Sequence, residues 1–264
     1  MAVVIVTGAS RGIGLAATSF LLEAFNATVV AISRTRTPEL DALTTAHPGS
    51  LQAVQCDMPP AFTAAIQSVL AKHGHLDGLI LNAGAIEPLV PVASADTPLD
   101  AWRTHFEINV YSLITALKAA VPSLRDSPKG GRVVFVSSGA AILGIAGWGP
   151  YSASKAAMNS LNRLDYYWRL RHWHEEEKGK IVSIAVRPGK VDTNMQGEIR
   201  ESGGLHMAHD VHQSFVREKR EGLLLKPEQP GYVIAALSLH APESLSGEFV
   251  NWDDERCREF RRPS

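Results

Sequence analysis

Residues 3–14 read Val-Val-Ile-Val-Thr-Gly-Ala-Ser-Arg-Gly-Ile-Gly, an apolar β-branched run that breaks into glycines and continues as a helix-forming segment. No other stretch constrains the fold as much. A strand that is apolar at successive positions must be covered on both faces, which is the condition of a strand inside a parallel sheet. Glycines after it let the backbone turn tightly and let a ligand come close to the main chain. The free N–H groups that open the next helix, with its dipole, favour a negative group such as a phosphate. The spacing is Gly8-x3-Gly12-x-Gly14, with Arg11 and Ile13 between, and not the Gly-x-Gly-x-x-Gly of the best-known dinucleotide turns.

The same alternation recurs along the chain. Strands are predicted at 3–6, 28–32, 51–56, 76–81, 132–137, 181–186 and 248–251, and helices at 13–25, 38–46, 61–73, 99–124, 151–177 and 230–239. This order predicts an α/β fold, a Rossmann-like doubly wound parallel sheet with helices on both faces. No Pro/Gly-rich linker divides the chain, so residues 1–264 are read as a single domain. Segment 194–226 breaks the rhythm: it is polar and holds Gly203-Gly204. Ligands of open parallel sheets sit beyond the carboxyl ends of the strands. An irregular insert after the sixth strand is therefore expected to cover the site as a substrate lid.

A formal net charge of -1, with no run of like charge, argues against a nucleic-acid or membrane partner. Cys56 and Cys257 cannot build a disulfide framework and suit a reducing, cytoplasmic compartment. The opening apolar run is too short for a signal peptide or a membrane span. His206, His209 and His212 have three-residue spacing, but no acid or cysteine completes a metal site, and none is expected.

The end of the second strand speaks to the cofactor. A carboxylate there would hold the ribose of NAD and repel a 2′-phosphate. This chain has Ser33 followed by Arg34, with Arg36 close by and Arg11 in the glycine turn. Guanidinium groups pair with phosphate, so the expected cofactor is NADP(H). Asp57, after the third strand, is either an acceptor for the adenine amino group or a turn or helix-cap aspartate.

Several further elements stand in a telling order. Asn82-Ala83-Gly84 follows the fourth strand, Asn109 lies within a long helix, and Ser138 follows the fifth strand. Tyr151-Ser152-Ala153-Ser154-Lys155 comes 13 residues after Ser138, and Pro188-Gly189 precedes Val191 and Thr193. With residues 7–14 these resemble the short-chain dehydrogenase/reductase family over almost the whole chain. Residues 82–88, 148–151 and 188–196 carry a narrower resemblance to fungal benzil reductases, relatives of sepiapterin reductase that reduce dicarbonyls with NADPH. The resemblance implies a catalytic set of Asn109, Ser138, Tyr151 and Lys155. It gives Asn109 a water that links Lys155 to solvent, and gives Lys155 the nicotinamide ribose. It places Thr193 at the carboxamide and Asn82 under the cofactor, with Ala83, Gly84, Pro188, Gly189 and Val191 in the same cleft. It also implies a homodimer or homotetramer.

Reducing a ketone needs a hydride on carbon and a proton on oxygen. Tyr151 and Lys155, four apart, share one helix face. Tyrosine ordinarily titrates near pH ~10. A neighbouring ammonium is expected to bring it down toward the neutral range, opposed by burial. Ser138, in preference to Ser137, would hold the substrate oxygen beside Tyr151. Trp148 and Met195, with Ile86, Leu143 and Ile145, would line an apolar pocket suited to a bulky or aromatic carbonyl. Asn251 stands where sepiapterin reductases carry an acid, which counts against a pterin substrate. The reading is an NADPH-dependent carbonyl reductase. The alternatives are an NADP-linked alcohol, polyol or steroid dehydrogenase, or a non-catalytic NADP-sensing regulator, against which the complete set of four residues counts.

Overall fold

The computed structural model describes residues 1–56, 60–94, 99–168 and 181–263. Among them, β1 (Val3–Thr7), β2 (Thr28–Ser33), β3 (Leu51–Gln55), β4 (Gly78–Leu81), β5 (Gly131–Val136), β6 (Ile181–Arg187) and β7 (Phe249–Asn251) form one sheet. Its order is β3-β2-β1-β4-β5-β6-β7, and every neighbouring pair is parallel. β1 lies inside the sheet, with Ile5 opposite Val30 on one side and Leu79 on the other.

The apolar runs are explained by cover on both faces. The pleat sends alternate side chains to opposite sides. Val4 and Val6 pack with Leu21, Val233 and Leu237. Val3 and Ile5 pack with Ile66, Leu113 and Leu124 on the other face. The covering helices include α1 (Gly12–Glu23), α2 (Pro38–Ala46), α3 (Pro60–His73), α4 (Leu99–Phe106), α5 (Ser112–Arg125), α6 (Gly149–Trp168), α7 (Asn194–Ser202), α8 (His209–Arg220) and α9 (Glu228–His240). α2 starts where its sequence says it should, with Pro38 in its first turn and Thr37 Oγ1 accepting the Leu40 N–H at 3.3 Å.

Two predicted elements differ. The single helix expected at 99–124 is α4 and α5 joined by a π-turn at Glu107–Tyr111, with Asn109 buried inside it. Periodicity cannot reveal one extra residue in a turn when the side chain that requires it has its partners elsewhere in the fold. The segment 194–226 is not irregular: it forms α7 and α8 around a 3-10 turn at Gly203–Leu205. Its polarity has a simple cause. Each helix buries only a narrow face, and Phe215 is the one buried residue of α8. Ile199, Met207 and Phe215 join Ile86, Leu89 and Trp148 in a third apolar cluster. The helix expected at 151–177 begins at Gly149, and residues 169–180 lie outside the described ones.

β4 also begins later than predicted, because Asp77 occupies its amino end. The buried carboxylate accepts from the Val3 N–H at 2.8 Å and from Ser127 Oγ at 2.6 Å, and His75 Nε2 lies 3.2 Å away. Asp77 thus ties β1 to the turn before β5 at the end of the sheet opposite the glycine turn. Asp77→Ala leaves a buried N–H without its acceptor. Urea unfolding should show a loss of about 1–3 kcal/mol in unfolding free energy.

Candidate active site

Parallel strands bring all their carboxyl ends to one edge. After β3 the chain returns to lie beside β1 as β4, so the direction of winding reverses there and a crevice opens between the two following turns. A cavity of about 470 Å³ runs along this edge, from Arg34 after β2 to Trp148 before α6.

The glycine turn forms one wall. Gly8 adopts φ +66°, and a Cβ on it would stand 2.9 Å from Ala83 Cα. Asn82 Nδ2 donates to the carbonyls of Thr7 and Gly8 at 3.1 and 3.0 Å. The N–H groups of Asn82 and Ala83 donate to Thr7 Oγ1 at 3.0 and 3.1 Å. Asn82 therefore holds the two turns together. Gly14, expected at the cofactor, does not line the cavity: a Cβ there would collide with the Gly8 carbonyl oxygen and come within 2.5 Å of Asn82 Nδ2. It is a glycine so that α1 can start hard against the turn.

α1 opens with Arg11 as its N-cap residue and no side-chain cap. Its first N–H groups have no side-chain acceptor, and Gly12 and Ile13 line the cavity there, which is the composition of an anion site. Arg11 Nη2 donates to Thr35 Oγ1 at 3.2 Å, and buried Ser33 Oγ donates to the Thr35 carbonyl at 2.9 Å. Arg34 is exposed and lines the same end of the cavity. Arg36 is engaged elsewhere, donating to Asp41 at 2.7 Å. Ala83, Gly84, Pro188, Gly189, Val191 and Thr193 line the cavity as expected. Asp57 lies outside the described residues.

Ser138, Tyr151 and Lys155 line the other end. Ser138 Oγ accepts the Ala140 N–H at 3.2 Å, and Ser138 lies close enough to the Tyr151 hydroxyl to favour its ionised form. Ser137 Oγ donates to Asn159 Oδ1 at 2.6 Å, away from the tyrosine. Lys155 Nζ donates to the Val136 carbonyl at 2.8 Å and stands 5.7 Å from the Tyr151 ring centroid. Burial pushes the Tyr151 phenol up to about 12, only partly offset by the nearby Ser138 hydroxyl. Burial also pushes the Lys155 ammonium down to about 8. The expected lowering of Tyr151 is therefore not found. Loss of water disfavours both charged forms and outweighs the pull of one upon the other. Burial thus favours the protonated form of Tyr151 at neutral pH.

Asn109 does not reach the cavity. Its Oδ1 accepts the Ala85 N–H at 2.8 Å and its Nδ2 donates to the Ala85 carbonyl at 2.9 Å. Nδ2 also meets His105 Nε2 at 2.9 Å and Ser154 Oγ at 3.1 Å. The Asn109 side chain thus clamps the turn after β4. His105 escaped the sequence reading. Its Nδ1–H donates to the Glu87 carbonyl at 2.6 Å, so its neutral Nε2 is the acceptor for Asn109. Ser154 Oγ, in turn, donates to the Tyr151 carbonyl at 2.8 Å. The only signal was a histidine four residues before Asn109, which looks the same as any helix-surface histidine.

Trp148 meets Tyr151 edge-on, with centroids 5.6 Å apart and planes at 85°, and lies 5.7 Å from the Phe215 ring. Ile86, Leu143, Ile145 and Met195 line this end as expected. Ile199 and Phe215 from α7 and α8 line it too, and Glu198 lines the cavity with Arg11 and Arg34 as its cationic neighbours; the sequence did not mark these three. Asn251 is exposed and outside the cavity. His212 Nε2 donates to the Arg200 carbonyl at 3.0 Å. Among the described residues, no helix is long and apolar enough to cross a membrane.

The sequence profile of the family described as short chain dehydrogenase matches residues 2–203. An uncharacterized oxidoreductase of Schizosaccharomyces pombe is 39% identical over 251 residues, covering 95% of this chain and 96% of its own. A benzil reductase, (S)-benzoin forming, of Saccharomyces cerevisiae is 32% identical over 261 residues, covering 96% of this chain and 97% of its own. The crystal structure of a short-chain dehydrogenase/reductase from Saccharomyces cerevisiae is 31% identical and superposes with a TM-score of 0.89 over 99% of this chain and 100% of that one.

The buried His105 generates a pH prediction. Burial holds its pKa below the ordinary 6.5, so the folded state keeps it neutral where the unfolded chain takes up a proton. It therefore contributes stability above pH 6.5 that is lost as the pH falls below that value. Denaturant unfolding of His105→Leu across pH 5–7 should show a shallower acid slope than the wild type, by up to one proton. An unchanged slope would mean that the ring is not held neutral.

Proposed function

The chain belongs to the short-chain dehydrogenase family, whose members use NAD(P)(H), and we propose that within it the protein is an NADPH-dependent reductase of ketones and α-dicarbonyls. The observation that carries this reading is one cavity that Ser138, Tyr151 and Lys155 line together with an uncapped helix start and the cations Arg11 and Arg34.

The residues present fit a dinucleotide phosphate. The open N–H groups at Gly12 and Ile13 suit a pyrophosphate. Arg11, Arg34 and Ser33 suit a 2′-phosphate, with no carboxylate at the end of β2 to repel it. Gly8, Ala83, Gly84, Pro188, Gly189, Val191 and Thr193 would form the walls, and Lys155 would take a ribose hydroxyl. A bound reduced nicotinamide supplies the hydride. Ser138 and Tyr151 hold the substrate oxygen between two hydroxyls, and Tyr151 gives that oxygen its proton. Lys155, held by the Val136 carbonyl, keeps a positive charge beside the phenol at neutral pH and eases the loss of that proton. Asn109 and His105 fix the turn on which Ala85 and Ile86 stand. α7 and α8 shut the substrate end from solvent with Ile199 and Phe215. The likeness to a benzil reductase over nearly the whole chain supports a dicarbonyl substrate.

NADPH oxidation against benzil, a pterin diketone, an aliphatic diketone and a quinone tests the reading. Turnover is expected with benzil. Tyr151→Phe should lower it at least ~100-fold while NADPH still binds; turnover retained in that variant overturns the mechanism. Cofactor choice is tested by Ser33→Asp with Arg34→Ala. The ratio of kcat/KM with NADPH to that with NADH should fall by about 10–100-fold, and an unchanged ratio would refute the assigned phosphate site.

A further inference from the structure

Arg187, the last residue of β6, lines the cavity, and its guanidinium is engaged by no hydrogen bond or ion pair among the described residues. Arg132 differs from it: at the opposite end of the sheet, it donates to the carbonyls of Ala241, Lys129 and Gly130. Glu198 is the one carboxylate among the described lining residues, and its cationic neighbours are Arg11 and Arg34 at the phosphate end. The Arg187 charge is therefore left uncompensated.

Its position is defined by Gly139. A Cβ on Gly139 would stand 2.8 Å from Arg187 Cζ and Nε and 3.0 Å from Nη2, so the guanidinium rests against this glycine. Gly139 directly follows Ser138, and both line the cavity with Tyr151. The cation is thus seated one residue from the point where the substrate oxygen is held. Ile86, Leu143, Trp148 and Met195 supply apolar lining to the same cavity. In so apolar a place a charge–charge contact is stronger than in water. A guanidinium presents a planar fork of donors that matches a carboxylate with two parallel hydrogen bonds.

We infer that Arg187 is a specificity-determining residue and that the site takes keto acids, ketones whose carboxylate lies a few bonds from the reacting carbonyl. The inference rests on the carbonyl-reductase reading and names its substrate class. The reaction is the same: the ketone carbon gains a hydride from NADPH, its oxygen gains the Tyr151 proton, and hydroxy acid and NADP⁺ leave. In a neutral diketone the second carbonyl takes the weaker form of the same contact.

The test compares benzoylformate with its methyl ester, and 4-oxo-4-phenylbutanoate with its methyl ester, in the wild type, Arg187→Met and Arg187→Lys. Methionine keeps an unbranched stem, and with no partner to lose the change strands no buried group. The wild type should prefer the acids. The acid-to-ester ratio of kcat/KM should fall about 10–100-fold in Arg187→Met, with Arg187→Lys between. Calorimetry of benzoylformate on the NADP⁺-saturated protein should show the same loss of affinity. If acids and esters fall together, or neither falls, while benzil is still reduced, the role of Arg187 is refuted and the carbonyl-reductase reading stands. If the wild type reduces none of these compounds, both fail together.

Discussion

Two turns held against each other set the rest of the site. The Asn82 amide reaches back to the carbonyls of Thr7 and Gly8, and the Thr7 hydroxyl accepts two N–H groups from the turn after β4. These bonds work only because no side chain stands between the turns, and a Cβ on Gly8 or Gly14 would be driven into them. With the turns joined, α1 must start at the lip of the crevice, and its uncapped N–H groups face what enters. The same turn continues into Ala85, which Asn109 grips by both main-chain groups. One wall of hydrogen bonds therefore runs from the phosphate end of the cavity to the catalytic end.

The catalytic end is governed by burial. Tyr151 and Lys155 are close, and a simple Coulomb argument would lower the tyrosine. Both groups have left water, however, and desolvation acts on each charged form separately. The result is a tyrosine near 12 and a lysine near 8. A proton donor is better served by this arrangement than a proton acceptor would be. The proposed carbonyl reduction would use the tyrosine in the protonated form that burial favours.

The substrate end depends on helices with little apolar character of their own. α7 and α8 present a few residues, Ile199 and Phe215 chief among them, to a cluster centred on Trp148 and Tyr151. Their docking surface is the catalytic machinery itself, so the cover and the site share one small core. Against this apolar background the unpaired guanidinium of Arg187 is the main polar feature that the tyrosine mechanism does not use.

Much of this could be read from residues in order. Apolar strands at β1, β4 and β5 required a sheet covered on both faces, and the Gly8–Gly12–Gly14 turn required a helix start open to an anion. The spacing of Tyr151 and Lys155 required a shared helix face. These are local facts, set by pleat, helix period and glycine geometry, and a sequence carries them directly. What it could not carry was any contact between distant segments. The π-turn at Asn109 exists to reach Ala85, His105 matters through Glu87, and α7 and α8 acquire their apolar face only when Trp148 is brought beneath them. The titration of Tyr151 turned on how much water the fold removed, and Arg187 is free of partners among the described residues because of how the fold packs. Desolvation and long-range pairing are properties of the assembled volume, so tertiary structure alone decided them.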